Sequence, residues 1–290
     1  MDKKHFFIFL LFIFVFLSSP SNADKEPIWE WPSTVSVSDV AISDDSINIS
    51  ASHGNKLSYW YNSSSTPYRT NSLDYAVSNI SMSSSGKYVI TGEPGGTTLT
   101  FWDNGAKSWR KTDFQVELRD VGFSADGTVI GAIDLYNVYY IHKSSKAVVW
   151  SENHPATHLS ALSVSPDGKY IAIGTIDGDV FVYSVSNSSD VWQHSYVLGG
   201  RVTAIEFTGD SSHLIIGTSN GWVFVYASDS DDADSVMSYN QPEKISCVSA
   251  GPDSDYYLFG TGDGKLVLLS NETGTKVWQK SLSGGIADTS

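Results

Sequence analysis

The residues best suited to chemistry in this chain are one run of carboxylates and a set of charged side chains at regular spacing. Asp229, Asp231, Asp232 and Asp234 alternate through SDSDDADS, and alternating carboxylates can hold Ca²⁺. The turn glycine and terminal glutamate of an EF-hand loop are both missing. The four stay a calcium candidate beside the reading of a solvated acidic loop, and no metal is expected. Nucleophilic catalysis has less to stand on. There is no G-x-S-x-G elbow, the six histidines beyond His5 are scattered, and Cys247 is the only cysteine, set in an alternating stretch that suits a buried thiol. No catalytic site and no cofactor is expected from spacing alone.

The regularly spaced set is Glu117, Arg119, His158, Arg201 and Lys244. Each precedes a recurring turn by seven or five residues. The other positions of those two series are small and mostly polar, Ser36, Ala76, Ser38, Ser78, Ser160, Thr203 and Ser246. The turn itself reads ISDDSINIS at Ser43, MSSSGKYVI at Ser83, FSADGTVIG at Ser124, VSPDGKYIA at Ser165, FTGDSSHLI at Thr208 and AGPDSDYYL at Gly251. A period near 40 carrying only strand signals marks a β-propeller with one four-stranded blade per repeat. The five charged residues then fall where the first strand of a blade begins, at the mouth of the central channel. One reading is a rim that binds a ligand or peptide. The other is solvated loop ends with ion pairs worth little each.

The elements that must position this rim can be read from the repeat. Strand a is the apolar alternation before the turn, and strand b follows it, as in KYIAIGT. An Asp-Gly or Asn-Gly hairpin comes next in TIDGDV, TSNGWV and TGDGKL, where a two-residue turn needs positive φ. Strand c is VFVYS, VFVYA or LVLLS, and strand d carries Trp109, Trp150, Trp192 or Trp278. These four tryptophans recur with the repeat and are expected to pack between blades. Trp60, Trp102 and Trp222 fall outside that register.

Six complete units are flanked by two partial ones. PIWEWP, with Trp29, reads as a strand d ahead of the first unit, and SGGIADTS reads as the start of a strand a after the last. The expectation is an all-β propeller of six complete repeats with orphan terminal strands, seven-bladed and truncated at its C-terminal end. A six-bladed ring is the alternative.

At these residues two families come into view. SPDGKYIAIGTIDGDVFVYS, residues 165–184, resembles the blades of WD40-type propellers, although the Gly-His pair is missing and Trp-Asp occurs once, at Trp102 and Asp103. SNETGTKVWQKSL is similar to the tryptophan-docking motif of pyrroloquinoline-quinone-like propellers, in which a Thr-Gly turn precedes a tryptophan that packs on the next blade, here Thr273, Gly274 and Trp278. The resemblance implies a propeller over the whole mature chain. It leaves the function to be argued from a site. Its enzymatic implication is a quinoprotein dehydrogenase using the quinone and Ca²⁺, and a propeller half of a larger secreted hydrolase is a further alternative.

Composition sets the remaining bounds. Lys3, Lys4 and His5 precede an unbroken apolar run from Phe6 to Leu17, and SSPSNA follows. This is the pattern of a secretory leader cut after Ala23, leaving a propeller domain over 24–290 and placing the protein outside the cytoplasm, secreted or periplasmic. The run is too short to span a bilayer comfortably. With one cysteine there is no internal disulfide, so packing must carry stability. A formal charge of −14 argues against a nucleic-acid partner. Asn48, Asn62, Asn79, Asn187 and Asn271 each open an Asn-x-Ser/Thr triplet, the acceptor pattern for N-glycosylation. The leading expectation is an exported, non-catalytic scaffold with a protein or peptide partner.

Overall fold

The computed structural model describes residues 31, 35–77, 79–93, 97–114, 116–194, 199–229, 235–251, 255–282 and 286. The expected leader, residues 1–23, and Trp29 lie outside them.

The a–b turn explains why the repeat is so visible. In SPDGKY the Ser165 hydroxyl donates to Asp167 Oδ1 (2.8 Å) and accepts from the backbone N–H groups of Lys169 (3.1 Å) and Tyr170 (2.9 Å). Gly168 stands at φ 71°, a left-handed conformation that glycine adopts at least cost. The same hydroxyl-to-carboxylate bond recurs from Ser43 to Asp45, Ser124 to Asp126 and Thr208 to Asp210. These four turns therefore close on their own side chains.

Around these turns the chain forms six antiparallel sheets of four strands. Blade 1 holds β1 (Val37–Ile42), β2 (Asn48–His53), β3 (Lys56–Tyr61) and β4 (Arg69–Ser72). Blade 2 holds β5 (Asn79–Met82), β6 (Tyr88–Glu93), β7 (Thr98–Asp103) and β8 (Ala106–Lys111). Blade 3 holds β9 (Asp120–Phe123), β10 (Val129–Ile133), β11 (Asn137–His142) and β12 (Val148–Asn153). Blade 4 holds β13 (Leu159–Val164), β14 (Tyr170–Thr175), β15 (Val180–Ser184) and β16 (Asp190–His194). Blade 5 holds β17 (Val202–Phe207), β18 (His213–Thr218), β19 (Trp222–Ala227) and β20 (Met237–Asn240). Blade 6 holds β21 (Ile245–Ala250), β22 (Tyr256–Thr261), β23 (Lys265–Ser270) and β24 (Lys276–Ser281). The protein is all-β, a six-bladed propeller with no helix among the described residues.

The inner strands β1, β5, β9, β13, β17 and β21 pack in succession, and the core lies in the seams between blades. One cluster joins Val180, Val182 and Trp192 of blade 4 to Val202, Phe207 and Leu214 of blade 5. Glycines in the second strand make room for it. A Cβ on Gly174 would lie 2.2 Å from Val202 Cγ1, and one on Gly217 would lie 2.5 Å from Ile245 Cγ2. Backbone bonds link the turns of consecutive blades, from Asp44 N to Ser84 O (3.0 Å), Ser84 N to Ala125 O (3.0 Å) and Ala125 N to Pro166 O (2.9 Å).

Candidate ligand-binding rim

Antiparallel pairing puts the start of every inner strand at the same end of the disc as the b–c hairpins. Backbone hydrogen bonds fix this directly. His158 O accepts from Ile176 N (3.0 Å), Arg201 O from Ser219 N (2.9 Å) and Lys244 O from Gly262 N (3.0 Å). Arg119 donates its own N–H to Ile133 O (2.8 Å). His158, Arg201 and Lys244 are therefore held at equivalent places in blades 4 to 6 by their main chains, and Arg119 is fixed two residues further along in blade 3. Glu117, Arg119, Arg201 and Lys244 are exposed, and none of them makes an ion pair among the described residues. His158 is half-buried, with Nε2 3.2 Å from Tyr136 OH and its ring edge-on to that tyrosine.

Just inside the rim the inner strand carries a bulge. Register shifts bracket Ser38, Ser160, Thr203 and Ser246 in blades 1, 4, 5 and 6, so each is the extra residue of a β-bulge. Ser160 uses its hydroxyl to join blades, donating toward Val202 O (2.7 Å). Further in, Asp39 Oδ2 accepts from Ile80 N (2.6 Å) of blade 2, and Asp120 Oδ2 accepts from Leu162 N (2.8 Å) of blade 4. Both carboxylates are engaged in holding neighbouring blades, and neither is presented as an acid–base group.

Sequence reasoning missed a column of buried groups at the end of each second strand: His53, Glu93, Asp134, Thr175, Thr218 and Thr261. Its signal was available, since each residue falls ten positions after the turn. In four blades the column closes the hairpin. Asp134 Oδ1 accepts from Tyr136 N (2.8 Å) and Asn137 N (2.7 Å), and its Oδ2 accepts from Tyr139 OH (2.6 Å). The hydroxyls of Thr175, Thr218 and Thr261 accept from the N–H of Asp179, Trp222 and Lys265 in the same way. Glu93 accepts from Thr100 (3.0 Å) and faces Arg110 (3.5 Å). His53 Nε2 lies 2.8 Å from Ser58 Oγ. These are buried polar groups satisfied within their own blade.

The tryptophans divide by role. Trp150 donates Nε1–H to Val185 O (3.0 Å) and Trp192 to Ser228 O (3.1 Å), each in the following blade. Trp109 is buried and stacked on Phe101, while Trp278 is half-buried. Trp102 is buried in the seam with Ala41, Leu57 and Tyr59 of blade 1 and donates to Thr91 Oγ1, and Trp60 is buried against Ile49 and Ala51 and donates to Ser65 O. Trp222 is half-buried and stacked on Phe224. Cys247 is buried, beside Gly260.

Of the acidic loop, Asp231, Asp232 and Asp234 lie outside the described residues, and Asp229 is exposed. Among the described residues no group of three or more His, Cys, Asp or Glu is arranged to hold a metal ion. A pyrroloquinoline quinone with its Ca²⁺ needs converging carboxylates and a platform over the ring. Asp39 and Asp120 instead hold backbone N–H groups of neighbouring blades, and Cys247 is buried, so these residues do not fit that group.

Comparison with known proteins agrees with the architecture. The chain resembles the WD40 repeats of RRP9, with a TM-score of 0.78 at 16% identity, covering 88% of this chain and 84% of that one. It resembles U3-55K, with a TM-score of 0.77 at 15% identity over 88% and 85%. A third similar structure is the Cps50 (Swd1) β-propeller domain of Myceliophteria thermophila, with a TM-score of 0.74 at 11% identity over 87% and 88%. At these identities the likeness is one of fold. No curated protein sequence matches the chain. A family model does, over residues 49–245, and its description is outer membrane protein assembly factor BamB. On the strength of that match across most of its blades, the chain belongs to the PQQ_2, BamB-like family of propeller-repeat proteins.

Proposed function

We propose that the protein is an exported, non-catalytic propeller that captures a protein or peptide partner at the end of the disc carrying Glu117, Arg119, His158, Arg201 and Lys244. One observation carries this reading. Arg201 and Lys244 are held at equivalent places by their backbone carbonyls and Arg119 two residues further along its blade by its own N–H, all three exposed and outside any ion pair among the described residues, in a chain whose formal charge is −14. An acidic segment of a partner supplies the complementary charge. Support for export is the leader-like N-terminus and a family description that names an outer-membrane assembly factor. Among the described residues no helix is long and apolar enough to cross a membrane.

The test uses a labelled acidic decapeptide and the double variant Arg201→Ser, Lys244→Ser. Saturable binding by the native protein, weakened in the variant with Tm unchanged, supports the rim. Equal binding by both, or a variant that melts well below the native protein, sinks it.

The finer architecture proposed with this function is a seventh blade between blade 6 and blade 1. A Cβ on Gly260 would lie 2.8 Å from Ile286 Cγ2, which repeats the seats of Val202 over Gly174 and Ile245 over Gly217. On the other side, Trp31 packs edge-on to Trp60 (4.9 Å) over a small cluster of Ile49 and Ala51. Ile286→Asp should therefore lower Tm by roughly 2–4 °C for each kcal/mol of lost packing. An unchanged Tm removes the support for that blade.

A further inference from the structure

The five Asn-x-Ser/Thr triplets are equivalent in sequence and unequal in place. Asn48 lies in β2 under the turn of blade 2, where a Cβ on Gly86 would come 2.5 Å from Asn48 Cβ. Its half-buried side chain therefore lies directly against that turn. Asn79 opens β5 on the channel side and donates Nδ2–H toward Asp120 Oδ1 (3.4 Å) of blade 3. Asn62, Asn187 and Asn271 all stand in c–d turns. Those turns lie at the a–b end of the disc, opposite the charged rim. Asn62 N donates to Ile47 O (2.8 Å), Val185 N to Lys169 O (2.8 Å) and Asn271 N to Asp255 O (2.9 Å).

Asn187 is the exposed member of this group. Its Oδ1 accepts from Ser189 N (3.2 Å) and from the Ser189 hydroxyl (2.8 Å). The acceptor oxygen is thus held by the third residue of its own triplet, while Nδ2 makes no hydrogen bond among the described residues.

We propose that Asn187 is an N-glycan acceptor, and that glycosylation at Asn62, Asn187 and Asn271 is confined to one end of the disc, leaving the rim bare for its partner. The proposal rests on the export reading, because the transferase works outside the cytoplasm. In the transfer, Nδ2 attacks the anomeric carbon of a lipid-diphosphate-linked oligosaccharide. The new C–N bond replaces the C–O bond to the diphosphate, one amide proton passes to a base of the transferase, and the lipid diphosphate leaves.

The test is expression behind a host leader in a cell with N-glycosylation, followed by peptide mapping of the folded, secreted protein. The expected result is an oligosaccharide on the Asn187 peptide, bare Asn48 and Asn79, and loss of one glycan with Tm unchanged in both Asn187→Gln and Ser189→Ala. An unmodified Asn187 in the folded protein, persistence of that glycan in S189A, or a glycan on Asn48 overturns the assignment. The chain with its native residues 1–23 is expressed alongside. If that form alone stays in the cell, the export reading fails while the acceptor result stands.

Discussion

His53 carries a pH dependence that follows from its surroundings. Burial, and secondarily the Lys56 ammonium, hold its imidazole below the usual 6.5, so the folded state favours the neutral ring. The unfolded chain then binds the proton first, and stability is complete above pH 6.5 and falls as pH drops from there toward the lowered value. A second loss comes lower. The Ser43 hydroxyl bonded to Asp45 and the Lys169 and Ser165 bonds to Asp167, which outweigh its burial, hold these turn carboxylates below 3.8. Their contribution is present above 3.8 and is lost as pH falls through the lowered values. Tm should therefore decline in two stages on acidification. In His53→Gln the upper stage should vanish and the lower one persist. A single decline confined to below pH 4 in the native protein would show that His53 stays neutral at no cost.

At the scale of elements, the seams decide stability. Trp192 is 3% exposed, sits in the cluster shared by blades 4 and 5, and ties its strand to the next blade through Ser228 O. Trp192→Ala should cost about 3–5 kcal/mol, the range for emptying a buried aromatic site. Trp192→Phe should cost about 1–3 kcal/mol, chiefly from the unpaired carbonyl. Denaturant midpoints at constant slope would read both, and equal losses would mean that the hydrogen bond matters little beside ring volume. This element was half legible beforehand. The tryptophan recurs in sequence because each blade needs the same anchor. Its receiving carbonyl lies 36 residues away, where no local pattern marks it. Gly174 and Gly217 read as ordinary strand glycines for the same reason, since Val202 and Ile245, which need their space, belong to the next repeat.

The whole molecule is a ring of like blades carrying net charge −14, and its few described ion pairs are mostly at the surface, with Lys169–Asp167 at 2.8 Å as one example. Such pairs contribute little, whereas unbalanced charge works against the compact state. Raising NaCl from about 0.01 M to about 1 M shortens the Debye length from about 30 Å to about 3 Å, so Tm should rise by a few degrees. A falling Tm would show that specific ion pairs outweigh the general repulsion.

Strand order within a blade and the recurrence of the a–b turn were determined by the sequence alone, because these depend on contacts within a few residues: Ser165 reaches no farther than Tyr170. The rim series was legible too, as it shares the period. Blade number was not, since the sequence pointed to seven blades and the described residues form six four-stranded sheets. Tertiary structure alone decided that Asp39 and Asp120 hold the backbone of other blades, that the His53, Glu93 and Asp134 column is sealed inside its sheets, and that Asn187 is exposed while Asn48 packs against the turn of blade 2. Each of those outcomes depends on which surfaces meet when neighbouring blades close on one another, and a single repeat holds only one side of that contact.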